Sequence, residues 1–331
     1  MNRELEIWQF AAERLKRNEN VMLLVVAESS GSSPGRQSFK MIVSRDELAG
    51  SIGGGLMEVN LVELAKENLK IENRNECVSR GAKAAPFIKR QIHRKNSPDS
   101  SGMICSGKQT VIFYKLTGEN YQTVRKIIQY IKNNRDRYLR ITQNDLTITA
   151  EKLPPFDFKF KKSGENEFVY EEKLGLKNKL FIVGGGHCAL ALSELMSKMD
   201  FHISLFDDRA DLNTLEKNEF AHEKTIIDSY ENIGEFIESG ENNYVVVMTL
   251  GYKFDEIVIR KLIDKDFKYF GVLGSKAKMK TLLKNLEKEG FDKEKLNRIR
   301  MPIGLPINSR TPFEIAVSIA AEIIAVKNAK K

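Results

Sequence analysis

The apolar positions of the chain follow one rhythm up to about residue 176 and another beyond it. Leu5, Trp8, Ala12 and Leu15 share one face of a helical repeat, so Leu5 to Asn18 is expected to form an amphipathic helix. Val21 to Ala27 is a continuous apolar run of strand length, and Phe39 to Val43 is a second strand. Between them, Ser29-Ser30-Gly31-Ser32-Ser33-Pro34-Gly35 has the composition of a loop, and Asp46-Glu47 that of a turn. Gly50-Ser51-Ile52-Gly53-Gly54-Gly55 leads directly into a helix expected over about 56–69. Residues 77–103 lack a clear pattern and are expected to be loop-rich. Thr110 to Tyr114 reads as a strand, Val124 to Ile131 lies in a helix, and 138–172 alternates polar and apolar residues as short strands or hairpins do.

From Lys179 the pattern becomes strand, helix, strand. Leu180 to Val183, Ile203 to Phe206, Val245 to Met248 and Tyr269 to Leu273 are short apolar strands, with helices expected at about 188–199, 254–265 and 276–289. That alternation specifies a parallel sheet covered by helices on both faces. The last helix opens with a capping box, Thr311 as N-cap, Pro312 at the first helical position and Glu314 as the reciprocal partner. Ile315, Ile319 and Ile323 give it an apolar face to pack on the sheet.

Length changes this picture little: 331 residues suit two domains at roughly 150 residues each. With no basic-then-apolar N-terminal segment and no apolar run near about 18 residues, neither a signal peptide nor a membrane span is expected, and the location implied is cytoplasmic. Cys77, Cys105 and Cys188 are too few and too scattered for a disulfide framework, and with only four histidines in no ligand-like spacing no metal site is expected. The net charge of +8 suits an anionic ligand or partner. Basic and acidic residues alternate, as in 281–300, so this charge reads as solvated surface and nucleic acid is not an expected partner.

Four segments could carry chemistry. Gly184-Gly185-Gly186-His187-Cys188-Ala189 follows a strand and opens a helix, with Gly184, Gly186 and Ala189 fitting G-x-G-x-x-A. Such a turn brings backbone N–H groups to a phosphate, and Asp207, at the head of Asp207-Asp208-Arg209, lies where an acid can bond a ribose hydroxyl. A turn kept only for packing fits the same residues. In the second segment, Gly53, Gly54 and Gly55 can form a nest of N–H donors for an anion. Glu58 either complements the helix dipole or accepts paired N–H donors from a heterocycle such as the amino-pyrimidinone edge of a pterin. Residue chemistry leaves both open. The third is Met103-Ile104-Cys105-Ser106-Gly107, where Cys105 is either an accessible thiol or a small buried hydrophobe. Cys188 reads as packing, and His187 either orients a ligand or serves the helix start. The fourth, Gly274-Ser275-Lys276-Ala277-Lys278, opens a helix after a strand, and Pro302-Ile303-Gly304-Leu305 adds a neighbouring loop at the strand ends.

Together these segments resemble the XdhC/CoxI family. Gly31-Ser32-Ser33-Pro34 with Lys40-Met41, the Gly50–Glu58 segment, and Cys105 before Gly107 resemble its N-terminal region. Gly184–His187, Asp207-Asp208-Arg209, Gly271-Val272-Leu273-Gly274-Ser275 with Lys278, Pro302-Ile303-Gly304-Leu305, and Thr311-Pro312 with Glu314-Ile315-Ala316 resemble its Rossmann domain. The resemblance spans about 30–325 in the same order. It implies an α/β chain, with an N-terminal α/β (α+β) domain over 1–176 and a Rossmann-like domain over 177–331. It further implies a maturation factor rather than a metabolic catalyst. Such a factor would bind molybdenum cofactor (molybdopterin), support its sulfuration with a cysteine desulfurase, and deliver it to a xanthine dehydrogenase-like molybdenum hydroxylase apoenzyme, acting as a homodimer. The implied binding residues are Gly53, Gly54, Gly55, Glu58, Gly184, Gly186, His187, Asp207, Arg209, Gly274, Ser275 and Lys278, with Cys105 as a sulfur or molybdenum contact.

Two departures stand out. Thr249-Leu250-Gly251-Tyr252 occupies the place of the family's Thr-His-x-His, which removes any role of those histidines, and Cys105-Ser106-Gly107 replaces Cys-Gly-Gly. The competing readings are an NAD(P)-dependent oxidoreductase and a nucleotide-sensing regulator, either with a nucleotide at the Gly184 turn. The oxidoreductase reading leaves the glycine-rich N-terminal region unexplained.

Overall fold

The structure, a computed structural model, describes residues 3–70, 86–92, 107–133, 137–149, 156–164 and 167–329. The chain divides into two units, Met1–Gly175 and Leu176–Lys331.

In the first unit, β1 (Val21–Ser30) lies between β2 (Lys40–Val43) and β5 (Lys108–Leu116), with β3 (Leu48–Gly50) and β4 (Phe87–Ile92) at the edges. Every pairing is antiparallel. Side chains alternate across a strand, so Leu23, Val25 and Ile112 face a core shared with α1 (Arg3–Lys16) and α3 (Tyr121–Lys132), while Met22, Leu24 and Phe113 face α2 (Gly55–Lys70). Coverage on both faces is why β1 reads as continuous rather than alternating hydrophobicity. A second antiparallel sheet has the order β7-β6-β9-β8, formed by β6 (Tyr138–Thr142), β7 (Leu146–Thr149), β8 (Phe158–Lys162) and β9 (Phe168–Lys173). Its Leu139, Ile141, Phe168 and Tyr170 join the core of α1 and α3, around a fully buried Trp8.

Within 77–103, expected to be loop-rich, Phe87–Ile92 forms the strand β4, and the rest of that stretch apart from residue 86 lies outside the described residues. The apolar residues of β4 are split by Lys89-Arg90-Gln91, but the strand pairs with β5 along its length and Phe87 stacks on Phe113 at 4.6 Å. The pairing partner, rather than local pattern, makes it a strand.

In the second unit, β10 (Asn178–Val183), β11 (Phe201–Asp207), β12 (Glu223–Ile226), β13 (Gly240–Val247) and β14 (Phe267–Val272) form a wholly parallel sheet of order β12-β11-β10-β13-β14. α4 (His187–Ser197) and α10 (Pro312–Asn328) cover one face. α7 (Tyr252–Leu262), α8 (Lys276–Lys288) and α9 (Lys293–Arg298) cover the other, and the short helices α5 (Asn213–Glu216) and α6 (Ile233–Phe236) lie in the connections before and after β12. The chain passes from β10 to β11 on one side and later to β13 on the other. The order therefore reverses beside β10, and a crevice for ligands opens at the carboxyl ends of β10 and β13. The capping box of α10 forms as expected: Glu314 N donates to Thr311 Oγ1 at 3.3 Å, and Thr311 N donates to Glu314 Oε2 at 3.0 Å. Among the described residues no helix is long and apolar enough to cross a membrane.

Candidate functional site

In the first unit three loops meet backbone to backbone. A Cβ on Gly53 would stand 2.4 Å from Gly35 N, one on Gly35 would stand 2.1 Å from Ile52 O, and one on Gly107 would stand 2.3 Å from Ser33 N. Only glycine tolerates such approaches, and Gly53 also has φ +132°. The Gly31–Gly35 loop is thus wedged between the Gly50–Gly55 turn and the start of β5. Gln109, almost fully buried, ties the three together: Ser33 Oγ donates to its Oε1 at 2.8 Å, and its Nε2 lies 2.9 Å from Met57 Sδ.

The concavity formed by the glycines is filled by Glu58. Its Oε2 accepts from Ser51 Oγ at 2.7 Å, Ile52 N at 2.8 Å and Gly54 N at 2.9 Å, and Gly53 N donates to Ser51 Oγ at 3.2 Å. Of the donors expected to serve an outside anion, Gly54 N is therefore spent on an internal carboxylate and Gly53 N on the Ser51 hydroxyl. Glu58 Oε1 takes no hydrogen bond among the described residues and remains an acceptor at a half-exposed position. Cys105 and Cys77 lie outside the described residues.

Below this site, Lys40 is buried with its Nζ 2.7 Å from Glu172 and 3.3 Å from Glu4, while Tyr170 Oη donates to Glu172 Oε2 at 2.7 Å. Burial would lower the Lys40 ammonium, but the charges of Glu172 and Glu4 reverse this and hold it above the ordinary lysine range. This motif residue joins β2 to β9 and α1, so it acts inside the fold.

In the second unit the Gly184 turn has the geometry its sequence suggests. Gly184 has φ +108°, and a Cβ there would meet Met248 O at 2.3 Å, so β10 and β13 approach where only glycine fits. Gly186 is the N-cap of α4 and supplies no side chain to its first-turn N–H groups, and His187 is exposed beside them. The Cys188 thiol is half-buried against the α4 core, and burial pushes its pKa up, away from a reactive thiolate.

Asp207 is committed elsewhere than to a ribose. Its Oδ2 accepts from Gly185 N at 2.6 Å and Arg209 Nη2 at 2.8 Å; its Oδ1 accepts from Arg209 N at 2.9 Å and Nε at 2.8 Å. Burial would raise this carboxyl, but the Arg209 fork and the two N–H donors hold it below the usual range. A sugar diol at Asp207 would first have to displace Arg209.

The remaining strand-end loops follow the same plan. Thr249 Oγ1 and N donate to Asp255 Oδ1 at 2.6 and 3.2 Å, and burial raises the Asp255 carboxyl against the opposing pull of Thr249 and Lys278. Leu250 is largely exposed, and Tyr252 packs at the start of α7 with its Oη accepting from Asn285 Nδ2 at 3.0 Å. Ser275 caps α8, and Lys278 is exposed nearby. Glu322 Oε2 accepts from Gly304 N at 2.8 Å and Tyr269 Oη at 2.5 Å. Gly184, Asp207, Arg209, Gly274, Ser275 and Lys278 thus gather at the carboxyl ends of the parallel strands, and Gly53, Gly54 and Glu58 gather with Gly107 in the first unit. Gln109 and Glu322 were missed by the sequence reading. The one available signal was a glutamine at the apolar phase of a strand.

Two family models match the chain: one described as the XdhC Rossmann domain over residues 180–323, the other as the XdhC and CoxI family over 14–78. The chain is 23% identical over 328 residues to the uncharacterized protein YqeB of Escherichia coli (strain K12), covering 98% of this chain and 47% of that protein, so it spans about half of YqeB. It is 26% identical over 252 residues to a protein of Bacillus subtilis (strain 168) named as a probable xanthine dehydrogenase subunit, covering 68% of this chain and 71% of that protein. A crystal structure described as a xanthine dehydrogenase from Bacillus halodurans has the same fold, with a TM-score of 0.69 at 19% identity over 98% of this chain and 97% of the other. With both regions matched in order, the chain belongs to the XdhC and CoxI family.

Proposed function

We propose that this protein is an accessory factor for a xanthine dehydrogenase-like molybdenum hydroxylase. It takes molybdenum cofactor as cargo, holds it while a cysteine desulfurase supplies sulfur, and passes it to the cofactor-free client, working as a homodimer. The observation that carries this reading is the interlock of Gly35, Gly53 and Gly107, through which three separate glycine-bearing segments pack backbone to backbone beside Glu58. Two relatives whose names refer to xanthine dehydrogenase support the choice of client.

In this reading Glu58 Oε1 accepts an N–H of the pterin while Oε2 keeps the loop in shape. Cys105 supplies the soft sulfur contact suited to molybdenum. Taken by itself, the second unit offers an anion the first-turn N–H groups of α4 and the Lys278 ammonium. A nucleotide-binding role has its own support in the strand order and the Gly184 turn. It places little on the first unit, and the Arg209 fork opposes a ribose at Asp207.

The deciding experiment is purification from a molybdenum-replete host, mass spectrometry of the released ligand, and transfer to a cofactor-free hydroxylase. Molybdopterin in the released fraction, and hydroxylase activity that depends on the protein, are expected. Cys105→Ala should fold normally but retain less cargo. NAD(P) as the sole ligand, with no activation of the hydroxylase, would overturn the accessory role.

A further inference from the structure

The positive charge of the chain is not evenly spread. Residues 260–300 hold thirteen Lys and Arg against six Asp and Glu, so this stretch accounts for seven of the eight net positive charges. It runs from the end of α7 through β14, α8 and α9. Where β14 begins, it encloses a cavity of about 400 Å³. Phe267, Phe270 and Ile299 form an apolar floor, and Lys268, Lys295, Arg298 and Arg300 supply cations around it.

These cations differ in what already holds them. Lys295 meets Asp264 at 2.7 Å and Arg298 meets Asp266 at 3.0 Å, both in exposed pairs. A fifth cation of the lining, Lys265, is turned to the carbonyls of Gly234 and Ile237. Lys268 and Arg300 form no ion pair among the described residues. Arg300 is also fixed in place: its N donates to Phe270 O at 2.8 Å, and Val272 N donates to its O at 2.9 Å. The cavity therefore sets two cations outside any ion pair among the described residues, one of them on a pinned backbone, beside aromatic and aliphatic side chains.

We propose that this cavity is a second ligand site on the Rossmann-like unit, and that it takes an organic anion: one or two carboxylate or phosphate groups on an apolar or aromatic body. The anionic groups meet Lys268 and Arg300, and the body covers Phe267 and Ile299. Pockets of this volume suit small organic molecules. The strands are parallel, so the start of β14 lies at the opposite end of the sheet from the carboxyl ends that carry Gly184 and Lys278. Occupancy here would not compete with a ligand at the glycine turn. The inference is independent of the proposed cargo.

The test titrates the full chain with 8-anilinonaphthalene-1-sulfonate, an anion with an aromatic body, and follows its fluorescence. Lys268→Glu/Arg300→Glu should weaken binding about tenfold. Lys280→Glu/Lys284→Glu, which makes the same change in net charge on the exposed side of α8, should leave it within about threefold. Val326→Trp fills the cavity without touching a charge and should also abolish the signal. Inorganic pyrophosphate, which has the charge but no apolar body, should displace the probe poorly. Equal weakening by the two charge reversals, unchanged binding in Val326→Trp, or full displacement by pyrophosphate would each overturn the proposal. Circular dichroism of every variant confirms that the fold is retained.

Discussion

Replacing Glu58 with Ala removes the oxygen onto which Ser51 Oγ, Ile52 N and Gly54 N donate at 2.7, 2.8 and 2.9 Å. The turn is half exposed, so the freed donors find water and each bond contributes near the lower end of its range, about 0.5–1 kcal/mol. Loss of the negative charge at the start of α2 adds about 0.3–1 kcal/mol. The total is about 2–4 kcal/mol, which for a unit of this size lowers the melting temperature by about 5–15 °C. Glu58→Gln keeps an amide oxygen in the same position and should cost only about 1 kcal/mol. Thermal unfolding gives the stabilities, and hydrogen exchange at the Ile52 and Gly54 amides reports the bonds directly. Both amides should be protected in the wild type and the Gln variant and should exchange freely in Glu58→Ala. Wild-type melting of Glu58→Ala with unchanged exchange would refute the bracing geometry. The Gln variant then isolates the cargo: if Glu58 Oε1 holds the pterin, retention falls by tenfold or more, as expected for about 1.5–3 kcal/mol in a charged hydrogen bond, while the loop stays intact. Equal retention would leave Glu58 with the loop alone.

Two further outcomes follow from the buried charges. Asp207 has a carboxyl held below its ordinary value, so its contribution is complete above about pH 4, the unfolded value, and is lost as pH falls through the folded one; urea unfolding of Asp207→Asn should therefore be weaker than wild type at pH 7 by about 2–3 kcal/mol and show less acid dependence. Lys40 is raised, so its contribution is complete below about pH 10.4 and is lost as pH rises through the folded value. Lys40→Met removes the cation nearest the buried Glu172 and should cost about 3–5 kcal/mol, most of it recovered in Lys40→Met/Glu172→Gln; a double variant no more stable than the single one would contradict the pairing.

The parallel sheet was legible because each of its strands except β12 is a short apolar run followed by a helix, and the Gly184 turn was legible because its glycines sit between them. β12, with Glu223-Lys224-Thr225-Ile226, carries one apolar residue and becomes a strand only by pairing with β11 at the sheet edge. The same holds for β4, which becomes a strand by pairing with β5. At the candidate sites the glycines were readable, since close backbone approach demands them, whereas the partners of the acids were not. Glu58, three residues into a helix after a glycine turn, has the same sequence signature whether it faces a ligand or its own loop. Only the fold of the turn puts Oε2 against Ile52 N and Gly54 N. Asp207 likewise lies at the expected distance from the glycines, and it is Arg209, two residues on, that takes both its oxygens.

A common device recurs at these loops. Glu58, Asp207, Asp255, Glu314 and Glu322 each accept a backbone N–H of the turn beside them, and so stand where an outside anion would otherwise bind. Each carboxylate satisfies donors that a glycine-rich or strand-end turn leaves without partners, and it fixes the loop before any ligand arrives. What remains for a ligand in the second unit is mainly of the opposite kind: the first-turn N–H groups of α4, the exposed His187 and the Lys278 ammonium. At the glycine turn of the first unit it includes an acceptor, Glu58 Oε1.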